Sequence, residues 1–390
     1  MDIVIIADFV GGLNNTDNNR FVYISKMLLK NKHNVELITS DFYHGTKQHL
    51  KKIDTYQGIK ITMLNELEYK KNICIKRFLA HYLWGRRVFK YLKRRTKPDA
   101  IYCAMPTLTA AYLAAKYCKK NGIRFIIDVQ DLWPEAFKMV FDVPIISNIL
   151  FAPFRILANY AYNSANDIVA VSQTYLNRAL KANKSINKGY SIYLGTDLSL
   201  FDSNIKKTDF LEKKPNSIWI GYCGTLGASY DLKIVFDAMK KYENRKVKFV
   251  IMGDGPRRKE FENYSKDLNV LFTGRLPYQQ MCSVLSQCDI VVNPIMSKAA
   301  QSIINKHADY AASGKPIISS QQCKEYMEMI KCFKMGFNVS TSDEFADALK
   351  CLCENTETRL EMGTNSRKCA EILFDRRKTY LKIIKLIEED

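Results

Sequence analysis

Residues 301–316, in the C-terminal half of the chain, carry the side chains best suited to hold a charged ligand. On a helix, Gln301, Asn305 and Asp309 recur every four residues and form one polar face. Lys306, near the helix start, could neutralise a pyrophosphate, and Asp309 could accept hydrogen bonds from two vicinal ribose hydroxyls. Small residues flank this face, which favours close packing in a crevice over a solvated surface.

Three glycine-containing turns could bring backbone amides close to a phosphate. Two of them, GYCGTLGASYDL and MGDGPRR, end predicted strands of the C-terminal half, and the third closes the first strand of the chain. Glycine lets the backbone approach a ligand, and amides at a helix start bind anions. Tight turns without a ligand remain an alternative. The residues predicted to bind a phosphate-carrying ligand at these turns are Gly11, Gly12, Gly224, Thr225, Gly227, Gly253 and Asp254.

The segment DVQDLWPE, residues 128–135, ends another predicted strand. Asp131 and Glu135 could accept a hydroxyl proton or bind sugar hydroxyls, and Trp133 offers an apolar platform. A capped helix start is the alternative interpretation. We predict that Asp131 is catalytic and that Asp128, Trp133 and Glu135 bind an acceptor.

Strands and helices alternate steadily along the chain, which predicts α/β domains with parallel sheets. The alternation restarts after a polar stretch, residues 202–216. We predict Rossmann-like domains over residues 1–200 and 201–373, and a helix over 374–390 that returns to the first domain. If the carboxyl ends of the two sheets face each other, ligands bind in the crevice between the domains. One helix is predicted over Ser302–Ser313, and predicted strands of both domains are Asp2–Ala7, Asn34–Thr39, Ile59–Met63, Ala100–Cys103, Arg124–Asp128, Asp167–Val171, Ser217–Tyr222, Val247–Met252, Val270–Thr273, Ile290–Asn293 and Pro316–Ser319.

The composition is that of a basic, folded protein. The chain has 390 residues, with 59 Lys and Arg against 40 Asp and Glu, and a formal net charge of +19. Such a surplus attracts anions. Eleven cysteines lie mostly in apolar stretches, which favours reduced thiols in a cytoplasmic protein. Their spacing predicts no metal site, and no apolar run is long enough to span a bilayer.

The order of these motifs resembles the family 4 glycosyltransferases, a retaining group with the two-domain fold called GT-B. Further matching segments are FTGRLP, CDIVVNP and HADYAASGKPIIS, so the resemblance covers nearly the whole chain. It is strongest to bacterial enzymes that assemble capsule or O-antigen polysaccharides, often on a polyprenyl diphosphate carrier. The resemblance implies a nucleotide-sugar donor, with UDP favoured, no cofactor, and a saccharide acceptor linked to that lipid.

The resemblance also implies roles for single residues. Asp309 matches the second acid of the family's Glu-x7-Glu pattern, which holds the donor ribose. Gln301 replaces the first acid and is predicted, with Lys306, to be catalytic. Thr225 and Tyr230 stand where many relatives carry Arg and Lys, so Lys306 is the candidate that replaces their charge. Catalysis would be independent of metal and would rest on stabilising the departing diphosphate. By the same comparison, Gln130 is expected at the acceptor, and Arg275 and Leu276 at the nucleobase.

Residues 70–97 contain eleven Lys or Arg and no acid, interleaved with apolar residues at helical spacing. A basic amphipathic helix of this kind suits an anionic membrane surface on the cytoplasmic side. The alternative is a helix that covers the N-terminal sheet. No nucleic-acid-binding motif is found. Two other functions remain open, namely a nucleotide-sugar epimerase of the same fold and a non-catalytic scaffold.

Overall fold

The computed structural model describes residues 1–10, 13, 19–71, 74–139, 143, 146–185, 189–205, 210–243, 246–297, 299 and 302–389, without the side chains of residues 138 and 139. The chain forms two compact units. The first contains Met1–Tyr193 and Lys378–Asp390, and the second contains Leu194–Arg377.

The first unit is built on one sheet whose strands run in the order β10-β9-β8-β7-β1-β2-β6-β5. All neighbours pair in parallel except β5 and β6. Two short strands, β3 and β4, form a separate antiparallel pair. The strands are β1 (Asp2–Ile6), β2 (Asn34–Ser40), β3 (Phe42–Tyr43), β4 (Gln48–His49), β5 (Thr55–Tyr56), β6 (Ile59–Leu64), β7 (Ala100–Met105), β8 (Arg124–Val129), β9 (Asp167–Ala170) and β10 (Tyr190–Ser191).

Both faces of this sheet are covered, because alternate residues of the central strand belong to two different cores. Val4 and Ile6 pack in one core with Trp84, whereas Ile3 and Ile5 pack in the other with Phe21. A strand buried on both faces has a continuous apolar sequence, as Asp2–Ile6 does. The helices are α1 (Arg20–Lys30), α2 (Ile75–Leu92), α3 (Leu108–Asn121), α4 (Ile146–Leu150), α5 (Ala152–Asn163) and α6 (Gln173–Leu180), with a 3₁₀ turn at Glu135–Met139.

The second unit has an all-parallel sheet in the order β13-β12-β11-β14-β15-β16. Its strands are β11 (Ile218–Cys223), β12 (Val247–Met252), β13 (Val270–Gly274), β14 (Ile290–Asn293), β15 (Ile317–Ser319) and β16 (Gly336–Asn338). Its helices are α7 (Leu198–Ile205), α8 (Leu232–Tyr242), α9 (Arg258–Tyr264), α10 (Tyr278–Gln287), α11 (Asn305–Ala312), α12 (Lys324–Phe333), α13 (Ser342–Glu354) and α14 (Thr356–Cys369). The predicted α/β class with Rossmann-like sheets is confirmed.

The end of the chain belongs to the first unit. After a π-helical turn at Ala370–Phe374 follow α15 (Arg376–Thr379) and α16 (Leu381–Glu388). Ile383 and Ile387 of α16 are fully buried in the core that also contains Ile3 and Ile5. This apolar face fixes α16 against the sheet despite the charged residues around it.

Each sheet has one point where the strand order reverses. In the first unit this point lies between β1 and β7, and in the second unit it lies between β11 and β14. The connections that follow the two strands at such a point run in opposite directions, which opens a space at the carboxyl ends of these strands. Ligands of open α/β sheets bind there, so the loops after β1, β7, β11 and β14 are the first places to search for a site.

Candidate functional site

Two glycine loops of the second unit press against each other at the carboxyl ends of β11 and β12. The amide of Gly224 donates to Met252 O at 3.0 Å. A Cβ atom on Gly253 would lie 1.8 Å from Gly224 O, so only glycine fits there. Gly224 has φ +145°, a conformation that side chains rarely adopt. These two glycines therefore shape the loops, and the Gly224 amide, predicted to bind phosphate, is already used within the protein.

Lys306 on α11 extends its side chain to this glycine turn. Its Nζ lies 3.4 Å from the place that a Cβ atom on Gly224 would take. Nζ stands 4.4 Å from the ring centre of Tyr222 and 3.9 Å from that of Tyr230. These π faces attract a cation but accept no conventional hydrogen bond. The ammonium group has no hydrogen-bond partner among the described residues.

This burial changes the protonation of Lys306. The residue is 8% exposed, and burial lowers the pKa of its ammonium group to about 7, opposed only by the Cys223 thiol. A buried cation without an acceptor is unfavourable unless an anion joins it. The position of Nζ beside a glycine turn at the reversal point of the sheet therefore fits a site for a phosphate group.

Asp309 lies three residues after Lys306 on the same helix and is also 8% exposed. Tyr278 OH donates to Asp309 Oδ1 at 3.0 Å and lies 2.8 Å from Thr196 Oγ1. Burial raises the pKa of Asp309 to about 6, and the bonds from Tyr278 and Thr196 and the charge of Arg376 oppose the rise. The carboxyl group is thus fixed in place as an acceptor to which a ligand hydroxyl could donate.

The helix begins later than predicted, at Asn305 instead of Ser302, because Ile304 is extended. The His307 ring accepts from the Ile304 amide at 3.3 Å, and the His307 amide donates to Ile304 O at 3.1 Å. His307 is itself held by stacking on Tyr326, with ring centres 3.7 Å apart. The single polar helix face predicted for Gln301, Asn305 and Asp309 is therefore wrong, because the residues from Ser302 to Ile304 are not helical.

The structure says less about the other residues predicted to bind the donor. Thr225 and Asn305 are exposed, Gly227 accepts from the Tyr230 amide at 3.1 Å, and Asp254 accepts from the Gly255 amide at 2.8 Å. Arg275 is exposed and Leu276 is half-buried in the loop after β13. Gly11, Gly12 and Gln301 lie outside the described residues. The roles of these residues stay predictions.

The residues of the first unit that were predicted to bind an acceptor substrate mainly contact other residues of the protein. Asp128 is fully buried and pairs with Arg20, with Nε 2.8 Å from Oδ2, and Gln130 Nε2 donates to the same oxygen at 3.1 Å. This pairing, which neutralises a carboxylate inside the core, corrects the prediction that Asp128 binds an acceptor. Glu135 likewise forms an ion pair with Arg178.

Trp133 is only 7% exposed, because other side chains pack around its ring. His81 stacks on it at 5.1 Å, and the Arg77 guanidinium lies 4.8 Å from its centre. Asp131 holds the indole by accepting from Trp133 Nε1 at 3.2 Å, and burial raises the pKa of Asp131. Trp133 is therefore not an open platform, which corrects that prediction, while a catalytic role of Asp131 stays a prediction.

Sequence reasoning missed the aromatic residues that complete the site. Tyr222 and Tyr278, which contact Lys306 and Asp309, are about 80 and 30 residues away from them along the chain. Tyr222 was visible only as an apolar residue in a strand. The sequence pointed to Tyr230 only through its position in the glycine loop, where many relatives carry a basic residue.

Comparisons with known proteins agree with this architecture. Residues 18–200 match the family described as Glycosyltransferase Family 4, and residues 217–355 match the family described as Glycosyl transferases group 1. The crystal structure of HepE from Anabaena, in complex with UDP, is 19% identical with a TM-score of 0.71 and full coverage of both chains. Sucrose-phosphate synthase from Thermosynechococcus elongatus is 14% identical with a TM-score of 0.73, over 100% of this chain and 98% of that one.

The chain belongs to the group 1 and family 4 glycosyltransferases, and its fold is GT-B. A curated relative, the sulfoquinovosyl transferase SQD2 of Arabidopsis thaliana, is 21% identical over 225 residues. That match covers 56% of this chain and 41% of the relative. It therefore spans less than half of that protein.

The burial of Lys306 predicts how its replacement changes stability with pH. The folded-state pKa of about 7 lies below the ordinary value of 10.5, so the unfolded chain binds more protons between these pH values. Below pH 7 the folded protein bears the full penalty of a buried charge, and the penalty fades as pH rises. We expect Lys306→Met to raise the thermal midpoint of the ligand-free protein at pH 6.5, with a smaller gain at pH 9.5. Lys240→Met, at a side chain that is 46% exposed, serves as the control, and a gain independent of pH would contradict the assignment.

Proposed function

We propose that the protein transfers a sugar from a nucleotide diphosphate, with UDP as the favoured nucleotide, to a saccharide acceptor. The observation that carries the proposal is the buried ammonium of Lys306, which lies beside the Gly224 turn without a hydrogen-bond acceptor. Membership of the glycosyltransferase families supports the reaction class. The complex of HepE with UDP supports the choice of nucleotide.

In this proposal Lys306 binds the diphosphate and stabilises the charge that develops as the sugar leaves. An anion beside Nζ favours the charged form of the amine, so binding restores the proton that burial disfavours. Because the ammonium is already in place, little reorganisation accompanies the reaction. Asp309 binds the ribose hydroxyls one helical turn away. The reaction proceeds with retention at the anomeric carbon and needs neither a cofactor nor a metal at the diphosphate.

The acceptor proposed is a saccharide on a polyprenyl diphosphate carrier in surface polysaccharide synthesis, at the cytoplasmic face of a membrane. A patch of the first unit supports this location. The apolar side chains of α4 and α5 there are exposed, with Ile149 70% and Ile156 66% accessible. Helix α2 adds Ile75, which is 87% accessible, and packs on α5 through Phe78 and Phe154 at 5.4 Å. Exposed bases, Lys76 and Arg155, follow or precede these residues in the chain, and apolar residues next to bases suit an anionic lipid surface.

The patch differs from the lipid-facing side of the basic amphipathic helix predicted over residues 70–97. Trp84, Val88 and Leu92, apolar residues of that segment, are buried in the core of the first unit. They cover the sheet, as the alternative interpretation held, and only the first turns of α2 offer apolar side chains to a lipid. Among the described residues, none of the helices is both long and apolar enough to cross a bilayer.

The transfer activity is tested most simply by replacing Lys306. We expect Lys306→Met to lower turnover of a labelled UDP-sugar about a hundredfold, the usual effect of removing one group that stabilises transition-state charge. Lys240→Met is the matched control and should keep normal turnover. Near-normal turnover in Lys306→Met, with the fold intact by circular dichroism, would exclude this lysine from the reaction.

The same assay separates the alternatives. Release of UDP that requires a saccharide acceptor identifies a transferase, whereas conversion of the nucleotide sugar without any acceptor identifies an epimerase. A scaffold would bind the nucleotide sugar, or fail to bind it, and release no UDP in either case.

Membrane attachment is tested with vesicles. We expect the wild-type protein to sediment with vesicles rich in anionic phospholipid, and less with neutral ones, because both bases and apolar groups contribute. Ile149→Glu combined with Ile156→Glu should lower the bound fraction several-fold by removing buried apolar area. Leu360→Glu, at an equally exposed leucine of the second unit, is the control. Equal losses in both proteins would contradict the assigned patch.

A further inference from the structure

A second cluster of chemically active side chains lies in the first unit, at the reversal point of its sheet. Asp8 follows β1 by two residues, Glu66 follows β6 by two residues, and His81 lies on α2. All three are buried, with exposures of 6%, 1% and 4%. One nitrogen or oxygen of each lies within 4.8 Å of one from each of the others. The sequence offered no sign of this group, since its members are far apart in the chain.

Each side chain of the cluster keeps one polar atom that no residue outside the cluster contacts. Thr107 donates to Asp8 Oδ2 at 2.8 Å, and Ser40 donates to Glu66 Oε2 at 2.6 Å. These hydroxyls satisfy one oxygen of each acid. Asp8 Oδ1, Glu66 Oε1 and His81 Nδ1 receive no hydrogen bond from the other described residues, and the two acids can bond to each other only when they share a proton. Buried polar atoms left in this state point to either a shared proton or a ligand.

The electrostatics of the cluster favour a cation. Burial is the main cause that raises the pKa of Asp8 to about 6 and that of Glu66 to about 9. The neighbouring Asp8 raises the pKa of Glu66 further, and the charge of Arg77 opposes the rise of both. Two adjacent buried carboxyl groups repel each other when both are ionised. A doubly charged cation would neutralise both of them.

We propose that Asp8, Glu66 and His81 bind one divalent metal ion of the Mn²⁺ or Zn²⁺ type. Two carboxylates and one imidazole form a donor set that such ions accept, whereas Mg²⁺ prefers oxygen ligands alone. The hydrogen bonds from Thr107 and Ser40 orient the two carboxylates as outer-shell partners do in metal sites. Ligand atoms of one ion stand about 3.3 Å apart. His81 Nδ1 and Asp8 Oδ2 are 3.8 Å apart, so the side chains must close by a fraction of an ångström or more.

Arg77 competes with the ion. Its Nε donates to His81 Nε2 at 3.3 Å, which places the proton of the neutral ring on Nδ1. A metal on Nδ1 requires that proton to move to Nε2, and Arg77 must then turn away from the ring. Arg77 also lies against aromatic faces, such as that of Trp133 at 4.8 Å. Replacing Arg77 with glutamine would supply an acceptor for Nε2–H and should strengthen metal binding.

The ion would join the loop after β1, the segment after β6 and helix α2 at one edge of the sheet. Its ligands all belong to the first unit, whereas Lys306 and Asp309 belong to the second. The inference therefore goes beyond the proposed transfer reaction, and metal binding can be measured without any sugar donor.

The test uses the full chain, freed of metal with a chelator and titrated with Mn²⁺ alone. We expect one Mn²⁺ per chain, with nitrogen coupling from His81 in pulsed electron paramagnetic resonance and a higher thermal midpoint. Glu66→Gln and His81→Gln should each weaken binding at least tenfold. Glu68→Gln removes a nearby carboxylate that is 66% exposed and should bind Mn²⁺ normally. Binding of Mg²⁺ in place of Mn²⁺ would contradict the role of His81.

Two outcomes overturn the proposal. One is an absence of stoichiometric Mn²⁺ in the wild-type protein, which would leave the cluster as a proton-sharing carboxyl pair. The other is undiminished binding in Glu66→Gln and His81→Gln. If one of the two variants fails to fold, Mn²⁺ binding by the other decides, and undiminished binding there overturns the proposal.

Discussion

The site of the second unit depends on one unfavourable arrangement, a buried lysine ammonium with no hydrogen-bond acceptor. Lys306 Nζ lies against the turn at Gly224, and two tyrosine rings line the space around it. The packing of the glycine loops fixes Gly224, and the late start of α11 fixes Lys306. The glycine loops and α11 thus meet at a place where a bound anion would stabilise the buried ammonium group.

Much of the fold could be predicted because parallel strands buried on both faces have continuous apolar sequences. Val247–Met252 and Ile290–Asn293 were predicted at their observed bounds. The short strands Tyr190–Ser191 and Gly336–Asn338 were missed, since two or three residues carry too little pattern to stand out from a loop. The predicted start of α11 lies three residues too early. The His307 ring caps the start of this helix and is held in position by stacking on Tyr326, a contact that the sequence does not show.

The candidate site was predictable where one short segment supplies the chemistry, as with Lys306 and Asp309. It was not predictable where burial decides the role. Asp128 and Trp133 belong to a motif rich in polar and aromatic residues, yet Arg20 neutralises the acid and His81 covers the ring. Distant partners such as Tyr278 cannot be read from the chain, because only the tertiary fold places their hydroxyl groups. Cores and sites use the same residue types, and a sequence alone does not separate the two uses.

The central claim is that Lys306 and Asp309 bind the phosphate and ribose ends of one nucleotide. Calorimetric titration of UDP and of 2′-deoxy-UDP, into the wild-type protein and into Asp309→Asn, tests it directly. If Asp309 accepts from the ribose, the wild-type protein binds 2′-deoxy-UDP about tenfold more weakly than UDP, and Asp309→Asn binds the two alike. Equal discrimination by both proteins, or no binding of UDP by the wild-type protein, would contradict the account.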